Sequence, residues 1–362
     1  MKIASAIALA GLALASSPAC AWDSFGHMEV AAVAWGKLTP TARARATELL
    51  KLNPEYASWI SHTPAQEHDK IAFVTAATWP DFIKHATGYH SDGPDNGDRP
   101  PPGPEASQNI GYKDHFMHKY WHFIDEPFSP DRTALHNPDT PNAQTQISAF
   151  RAKLSDPGAS AEDKDIKSYD LAWLLHLVGD VHQPLHTTSR FTHDQPDGDA
   201  GGNNVKIHCG SGCGAVELHG FWDDVLGTSA HPQDAIDAAA QLPEPDARLA
   251  SIADESVWID ESFKAAKADV YVQPIGVGAG PFALTDGYKS AALSLAKQRV
   301  ALAGARLANL LNEALKRCLR TSPTNGARGP AEGSEGRFWF PRRPAWPCSS
   351  TRPTIRLAWR PN

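Results

Sequence analysis

Residues 160–186 read SAEDKDIKSYDLAWLLHLVGDVHQPLH and form the most informative segment of the chain. The pattern predicts a helix over 160–183, because Pro184 lacks a backbone N–H and stops it. His176 and Asp180 stand four residues apart, so they share one face of that helix. An imidazole and a carboxylate buried among leucines are unfavourable unless they pair or bind a metal. The segment therefore predicts a long helix that carries part of a polar site.

The same spacing of histidine and aspartate recurs at His219 and Asp223, within the text LHGFWDD. His186 follows Asp180 by six residues, beyond the break at Pro184. The two pairs and His186 together supply five nitrogen and oxygen ligands of the kind that zinc binds. One such pair alone is equally consistent with a surface ion pair. Both pairs together with His186 favour a metal site.

Helical periodicity covers most of the chain and strand signals are scarce, so the predicted class is mainly α. Thr39-Pro40-Thr41 has the composition of a helix start. Residues 204–208 resemble a short strand, and residues 88–111, dense in Gly, Pro, Asp and Asn, indicate a long surface loop. The predicted helices cover 27–52 with a break near Pro40, 70–86, 143–155, 160–183, 216–226, 245–270 and 286–317.

Composition limits the class of partner. The chain has 362 residues and is 41% hydrophobic, enough for one large core or two small domains. Its formal net charge of −7 provides no overall basic field to hold duplex DNA, so local groups or metals would have to attract a nucleic acid. The 16 histidines suit metal binding, because imidazole is the commonest metal ligand.

The first 21 residues predict a secretory signal peptide. Lys2 is its positive end, residues 3–15 are apolar, and Ala19-Cys20-Ala21 has the small residues that precede cleavage. The mature chain would then begin at Trp22 and be secreted or periplasmic. The apolar run is too short for a membrane anchor. The alternative is a lipoprotein acylated at Cys20.

Four cysteines remain after such cleavage, at positions 209, 213, 318 and 348. Cys209 and Cys213 flank Gly-Ser-Gly, which favours a small-loop disulfide in an exported chain. A cysteine zinc site is the alternative, although the spacing lacks a second close pair.

Residues 319–362 differ in kind from the rest of the chain. From residue 321 onward they contain seven arginines, two glutamates and no lysine, with frequent Pro, Gly and Trp and no helical or strand period. They predict a basic, disordered tail. A basic arm for nucleic acid and a frame-shifted or misassigned C-terminus are the alternatives.

Three weaker candidates complete the polar set. Cleavage before Trp22 would leave a free α-amino group that can chelate a metal with its own carbonyl oxygen, and His27 lies close behind it. Asp81 follows Trp79-Pro80, and His122 lies within the aromatic text YWHFID. Each has a simpler interpretation: His27 or Asp81 as a helix cap, and His122 as a core histidine.

The order of these residues resembles the zinc-ligand series of the S1/P1 nuclease family. The sequence that flanks these residues also matches the family pattern. The matching stretches are Trp79-Pro80-Asp81, WHFID, the run from His176 to His186, Gly201-Gly202-Asn203, and Leu218-His219 to Trp222-Asp223. The likeness covers about residues 22–318. The matching ligand positions are Trp22, His27, Asp81, His122, His176, Asp180, His186, His219 and Asp223.

The resemblance implies a single-domain helical fold of the phospholipase C/P1 nuclease type with three zinc ions in a cleft. The first zinc would be bound by Asp81, His122, His176 and Asp180. The second would be bound by the Trp22 amine and carbonyl, His27 and Asp180. The third would be bound by His186, His219 and Asp223. Asp180 would thus bridge two metals.

The implied activity is that of a secreted zinc-dependent endonuclease. It would hydrolyse single-stranded DNA and RNA to 5'-phosphate products and act on 3'-nucleotides, with no stable protein partner. Asp81 and Asp180 would take part in catalysis through the metals they hold. Lys84 would stabilise phosphoryl charge where fungal members carry arginine, unless it is a solvated helix residue.

The resemblance also implies a nucleobase contact just past His122. Phe123 would stack on an unpaired base, Asp125 would accept hydrogen bonds from its edge, and Asn203 would add a contact. The simpler interpretations are core packing for Phe123 and turn formation for Asn203.

Two other functions fit parts of the pattern. A bacterial-type zinc phospholipase C also begins with a metal-binding tryptophan, but it typically carries glutamate where this chain has Asp223, and its first histidine lies further from the tryptophan. A non-catalytic zinc-binding protein would need coordinatively closed sites. The nine ligand residues instead leave open positions on three metals.

Overall fold

Helices dominate the chain, as its periodicity predicts. The structure is a computed structural model that describes residues 22–210 and 213–316. The signal peptide predicted at 1–21, the tail predicted at 319–362, and Cys318 and Cys348 lie outside the described residues. The helices are α1 (Ser24–Lys37), α2 (Pro40–Leu50), α3 (Tyr56–Ile60), α4 (His68–Ala76), α5 (Trp79–Phe82), α6 (Ala143–Ser155), α7 (Ala161–Asp180), α8 (Leu218–Asp224), α9 (Pro232–Ala239), α10 (Ala247–Ala250), α11 (Glu255–Ala265) and α12 (Asp286–Ala314).

Helix α7 is the centre of the packing. Every residue from Lys167 to Asp180 is buried, so this part of the helix is enclosed on all sides. Its neighbours include α1, α2, α5, α6 and α12. Ser160 caps its start, accepting a hydrogen bond from the Asp163 amide while the Asp163 carboxylate accepts one from the Ser160 amide. Polar groups at the end of α7 are therefore held deep in the protein.

Helix α7 ends at Asp180, three residues earlier than its pattern predicts. Side chains from other helices bind the next carbonyls: Ser262 Oγ donates to Val181 O at 2.5 Å, and Arg299 Nε donates to His182 O at 3.0 Å. The helix ends here because the amides of His182 and Gln183 donate to Gly179 O and Asp180 O, three residues back rather than four.

The helix predicted over 70–86 is divided into α4 and α5. The break at residues 77–78 lies just before Pro80, which lacks the N–H that would continue the ladder. The helix predicted over 245–270 is also divided, into α10, α11 and one wider turn at Ala266–Val270. Asp254 caps α11 by accepting from the Ser256 amide.

The other predicted helix boundaries lie close to those in the structure. The break near Pro40 separates α1 from α2, and the Thr39 side chain caps α2 by accepting from the Ala42 amide. The remaining predicted helices appear as α6, α8 and α12. Helices α3 and α9 were not predicted.

The described strands are two residues long and pair in parallel. They are β1 (Pro127–Phe128) with β2 (Ser189–Arg190), and β3 (Ile207–His208) with β4 (Phe282–Ala283). Strand β3 lies at the end of the predicted piece 204–208. The Cys209–Cys213 disulfide forms, which confirms the favoured pairing over a cysteine zinc site. Within residues 22–210 and 213–316, no helix is long and apolar enough to cross a bilayer.

Candidate metal centre

Six segments bring histidines and aspartates to one buried region. The contributors are α1, α5, the short turn before His122, α7, the turn Pro184–Thr187 and α8. All eight residues are at most 6% exposed. They are His27, Asp81, His122, His176, Asp180, His186, His219 and Asp223. Their burial excludes the surface ion pairs that the spacing alone allowed.

Five of these side chains form what we call the five-residue cluster: His27, Asp81, His122, His176 and Asp180. The inward atoms of His122 and His176, Nδ1 and Nε2, are 2.9 Å apart. Asp81 Oδ1 lies 3.6 Å from His176 Nε2 and 3.8 Å from His122 Nδ1. The rings of His27 and His176 stack with centroids 3.7 Å apart. Two overlapping sets of three residues in this cluster have the spacing of metal ligands.

Asp180 directs its two oxygens to different parts of the five-residue cluster. Oδ1 lies 3.2 Å from His27 Nε2. Oδ2 lies 3.2 Å from His122 Nδ1 and 3.4 Å from His176 Nε2. A carboxylate in this orientation can serve two adjacent cations.

The other three side chains form what we call the three-residue cluster: His186, His219 and Asp223. The Nε2 atoms of His186 and His219 face each other at 3.0 Å, and Asp223 Oδ2 lies 3.5 Å from His219 Nε2. These atoms also have the spacing of metal ligands. The membership of this cluster is that expected for the third metal.

Backbone carbonyls fix the orientation of three histidines. The Nδ1 atoms of His176, His186 and His219 lie 2.7, 2.9 and 2.7 Å from the carbonyl oxygens of Ala77, His122 and Gly201. An N–H at Nδ1 satisfies each carbonyl and leaves Nε2 as an acceptor that points inward. Metal-binding histidines are commonly held in this way.

The unpartnered atoms of the two clusters fit a bound cation. Both nitrogens of His27 and both oxygens of Asp180 are buried without hydrogen-bond partners. In the three-residue cluster, two acceptor nitrogens face each other. Ligand atoms around a tetrahedral zinc ion are about 3.3 Å apart, given bonds of about 2.0–2.1 Å. The nitrogen and oxygen donors and their separations therefore match a zinc-type site.

Burial favours the neutral forms of these groups, which suits the histidines as metal ligands but leaves the carboxyls to be ionised by a cation. It lowers the pKa of His27, His176 and His219 to about 4, so these imidazoles are neutral ligands near pH 7. It raises the pKa of Asp180 to about 8 and that of Asp223 well above its usual range. His176 and Asp180 thus form a neutral pair, and a cation would supply the positive charge that ionises Asp180.

The comparisons with known proteins identify the family. A family model described as S1/P1 Nuclease matches residues 22–316. The chain belongs to the S1/P1 nuclease family. It is also similar to Endonuclease 3 of Arabidopsis thaliana, with 33% identity over 116 residues, covering 27% of this chain and 36% of the relative. That match spans about a third of the relative's length. Family membership groups the chain with the S1/P1 nucleases, and its described residues include candidate metal-binding groups.

Lys84 of this S1/P1 family member is buried beside the five-residue cluster. Its Nζ lies 2.7 Å from Asp81 Oδ1, so it is not the solvated residue of the alternative interpretation. Burial alone would raise the pKa of Asp81, but Lys84, His176 and His27 more than offset this and hold it below its usual range. Lys84 therefore places a positive charge next to an ionised candidate ligand.

Trp22 anchors the start of the described chain between the two clusters. Its buried indole Nε1 donates to Gly179 O at 3.1 Å, one residue before Asp180. The next amide, of Asp23, donates to Asp223 O at 3.1 Å. The backbone at Trp22 thus lies beside elements of both clusters. The indole of Trp22 thus donates a hydrogen bond to α7, the helix that carries Asp180.

A cavity of about 530 Å³ opens beside His122. Phe123, half-buried, and Asp125, partly exposed, both line it, so the structure brings these two predicted base contacts together. Burial, with the nearby Asp199, Asp139 and Asp98, raises the pKa of Asp125 to about 7. Asn203 lies elsewhere: its side-chain amide donates to Ala200 O at 2.7 Å, which supports a turn-forming role.

Two residues that hold the ligands were not predicted as functional. The buried Gln183 donates from Nε2 to Asp223 Oδ1 at 2.8 Å and accepts from the Leu185 amide. Gly201 supplies the carbonyl for His219, and a Cβ there would meet Leu185 O at 2.4 Å, so only glycine fits. Both residues lie in stretches of sequence that resemble the family, and this resemblance was the signal by which they could have been found.

Proposed function

We propose that this chain is a secreted, zinc-dependent endonuclease that hydrolyses single-stranded DNA and RNA to products with 5'-phosphates and also acts on 3'-nucleotides. The main support is the pair of buried clusters, in which unpartnered imidazole and carboxylate atoms converge in a member of a nuclease family. The residues directly after His122 line a cavity, which suits a bound phosphodiester rather than a structural metal alone.

We propose that three zinc ions occupy the clusters. The five-residue cluster would hold two, with Asp180 shared and with the Trp22 amine and carbonyl completing the second. The three-residue cluster would hold the third. Bound zinc ions supply Lewis-acid stabilisation of phosphate oxygens and promote the ionisation of water.

The chain's own side chains would bind and orient the substrate. Lys84 would hold phosphoryl charge, because its ammonium is kept in place by Asp81 at 2.7 Å. Phe123 would stack on one base, and Asp125 would accept hydrogen bonds from the edge of that base. Both contacts need an unpaired base, and the net charge of −7 provides no general attraction for a duplex. Single-strand preference follows.

Processing is part of the same proposal. Removal of residues 1–21 would free the Trp22 amine, and residues 22–318 would form the catalytic domain, with 319–362 as a tail. The hydrogen bonds of the Trp22 indole to Gly179 O and of the Asp23 amide to Asp223 O support this, because they tie the start of the described chain to segments of both clusters. A chain with an added residue before Trp22 would carry an amide instead and should lose one zinc.

The test is a substrate panel with the processed, zinc-loaded protein. We expect cleavage of single-stranded DNA, RNA and 3'-AMP, little action on duplex DNA, and 5'-phosphate ends. Asp180→Asn should abolish activity, whereas the matched exposed substitution His62→Ala should not. Hydrolysis of phosphatidylcholine without hydrolysis of 3'-AMP would favour a phospholipase C, and no hydrolysis of any substrate would favour a non-catalytic zinc protein.

A further inference from the structure

The cavity beside His122 is acidic except at one point. Arg99 is the one lysine or arginine among the described residues that line it, and five aspartates accompany it. A single-stranded nucleic acid carries a negative charge at every nucleotide, so such a wall repels most of its backbone. The lining aspartates are Asp95, Asp98, Asp125, Asp139 and Asp197.

Arg99 connects two loops across this cavity. It lies in the loop 88–111, and its Nε donates to Asp139 Oδ2 at 2.9 Å, in the segment before α6. Asp95 Oδ2 lies 3.9 Å from the same guanidinium. The side chains of Arg99 and Asp139 are 59% and 50% exposed. Exposed ion pairs of this kind contribute little stability, so the guanidinium can exchange partners easily.

The Arg99 loop also contacts the segment that leads to His122. Burial raises the pKa of Asp98, and the charges of Lys119 and Lys84 partly offset this. A direct contact ties the same loop to the segment before His122, because Lys119 Nζ donates to Asn96 O at 2.8 Å. Phe123 and Asp125, directly after His122, line the same cavity as Arg99. A strand whose base occupies the cavity would pass its neighbouring phosphate close to Arg99.

We propose that Arg99 is a second phosphate-binding site, which takes the phosphodiester next to the nucleotide held in the cavity, and that Asp139 holds this guanidinium when no strand is bound. The proposal rests on the proposed nuclease function. A guanidinium can bind a phosphate through two parallel hydrogen bonds, which a single bond to Asp139 does not match. A 3'-mononucleotide lacks this second phosphate, so Arg99 favours polynucleotides over mononucleotides.

Two substitutions test the proposal because they should act in opposite directions. Arg99→Gln removes the phosphate ligand, so the ratio of kcat/KM for a dT5 oligonucleotide to that for 3'-AMP should fall about five- to tenfold. Asp139→Asn releases Arg99 from its competitor, so the same ratio should rise about twofold or more. The slope of log affinity against log salt should also become shallower by about 0.7 in Arg99→Gln, the contribution of one phosphate contact to a single strand.

Two control substitutions distinguish the loss of any exposed charge from the loss of a charge at the cavity. Arg248→Gln removes an exposed arginine from α10, and Glu244→Gln breaks the exposed Lys37–Glu244 ion pair, 2.6 Å long. Both should leave the ratio unchanged. If the Arg99–Asp139 pair only fixed the loops, both substitutions at the cavity would lower the ratio together, and that result would overturn the proposal. An unchanged ratio in both variants would overturn it as well.

A binding measurement tests the Arg99 phosphate site independently of nuclease activity. The affinity of each variant for a hydrolysis-resistant phosphorothioate dT5 can be measured by fluorescence anisotropy. A wild-type protein that hydrolyses no substrate but binds this strand in an Arg99-dependent way would refute the nuclease proposal and retain the phosphate site. Hydrolysis with Arg99-independent binding would do the reverse.

Discussion

Gln183 holds one oxygen of Asp223 in place. Its Nε2 donates to Asp223 Oδ1 at 2.8 Å, and Asp223 Oδ2 then faces His219 Nε2 at 3.5 Å. A fully buried amide in this position fixes the carboxylate much as the Gly201 carbonyl fixes the His219 ring. Residues that orient ligands commonly affect metal affinity about 10–100-fold.

We therefore expect Gln183→Leu to weaken metal binding at the three-residue cluster by about 10–100-fold. Zinc per chain, measured after dialysis against a weak chelator, should fall by about one ion, while the five-residue cluster keeps its metal. Gln241→Leu, at an exposed position, is the matched control. Retention of all metal by the Gln183 variant would contradict this role.

Gly179 is a second residue whose effect is local. A Cβ there would lie 2.9 Å from His27 Nδ1 and 3.8 Å from Trp22 Cδ1. In an unconstrained helix, alanine is more favourable than glycine by about 1 kcal/mol. Here the added methyl would displace the His27 ring, which stacks on His176 at 3.7 Å.

We expect Gly179→Ala to reduce the increase in Tm that zinc produces, because the ring of His27 would no longer meet Asp180. The matched control is Gly36→Ala in α1, where a Cβ meets no atom within 4 Å. That control should raise the stability by about 1 kcal/mol and keep the full zinc effect. Equal zinc-dependent shifts in the two variants would show that Gly179 does not position His27.

At the scale of elements, His118 anchors the loop that leads to the cavity. Its ring is fully buried and stacked on Trp121, with Nδ1 3.0 Å from Asp92 and Nε2 2.9 Å from Asp114. Burial alone would lower the pKa of His118, but the two carboxylates more than offset this and raise it. The pKa of Asp92 is lowered, because hydrogen bonds from His118 and Tyr120 outweigh its burial. The group is thus an imidazolium between two carboxylates.

We expect His118→Phe to destabilise the protein by about 3–5 kcal/mol, because it leaves buried carboxylates without their charged partner. Urea unfolding in excess zinc measures this. Since folding raises the pKa of His118, its contribution is complete at low pH and is lost as the pH rises through the folded-state value. The difference between wild type and variant should therefore shrink at alkaline pH; a constant difference would argue against a charged anchor.

Element boundaries show what a sequence can predict. Local signals worked at Thr39-Pro40, where a side-chain cap and a proline act within one turn. They failed at the end of α7, where the ring of His182 bonds to the Val178 carbonyl, and Ser262 and Arg299 bind the carbonyls of the turn that follows. No periodicity encodes such a contact.

The candidate site shows the same division. The spacing of His176 and Asp180, and the match to a family pattern, were enough to select the eight side chains that the structure brings together. The carbonyls of Ala77 and Gly201 could not be selected, because every residue carries a carbonyl and only the fold decides which one meets a histidine. Arg99 was missed because its loop has no periodic pattern.

At the scale of the whole molecule, α12 braces the turn between the two clusters. Arg306 forms two hydrogen bonds with Glu261 on α11, at 2.7 and 2.9 Å, and lies 2.9 Å from His182 Nε2. Arg299 binds the carbonyl of the same His182. Two buried arginines thus hold the segment that joins Asp180 to His186. The separation of the clusters is therefore set by the packing of α7, α11 and α12.

If two zinc ions share the oxygens of Asp180, as we propose, we expect zinc to load cooperatively. The first cation to enter the five-residue cluster must displace a proton from Asp180, whose pKa burial raises to about 8, and must order the rings around it. A second cation then meets an ionised, oriented oxygen and binds more readily. Native mass spectrometry with zinc below saturation should show empty and multiply loaded chains and few with a single ion; a statistical distribution would refute this. Such a chain would respond to zinc in its surroundings as a threshold rather than in proportion to it.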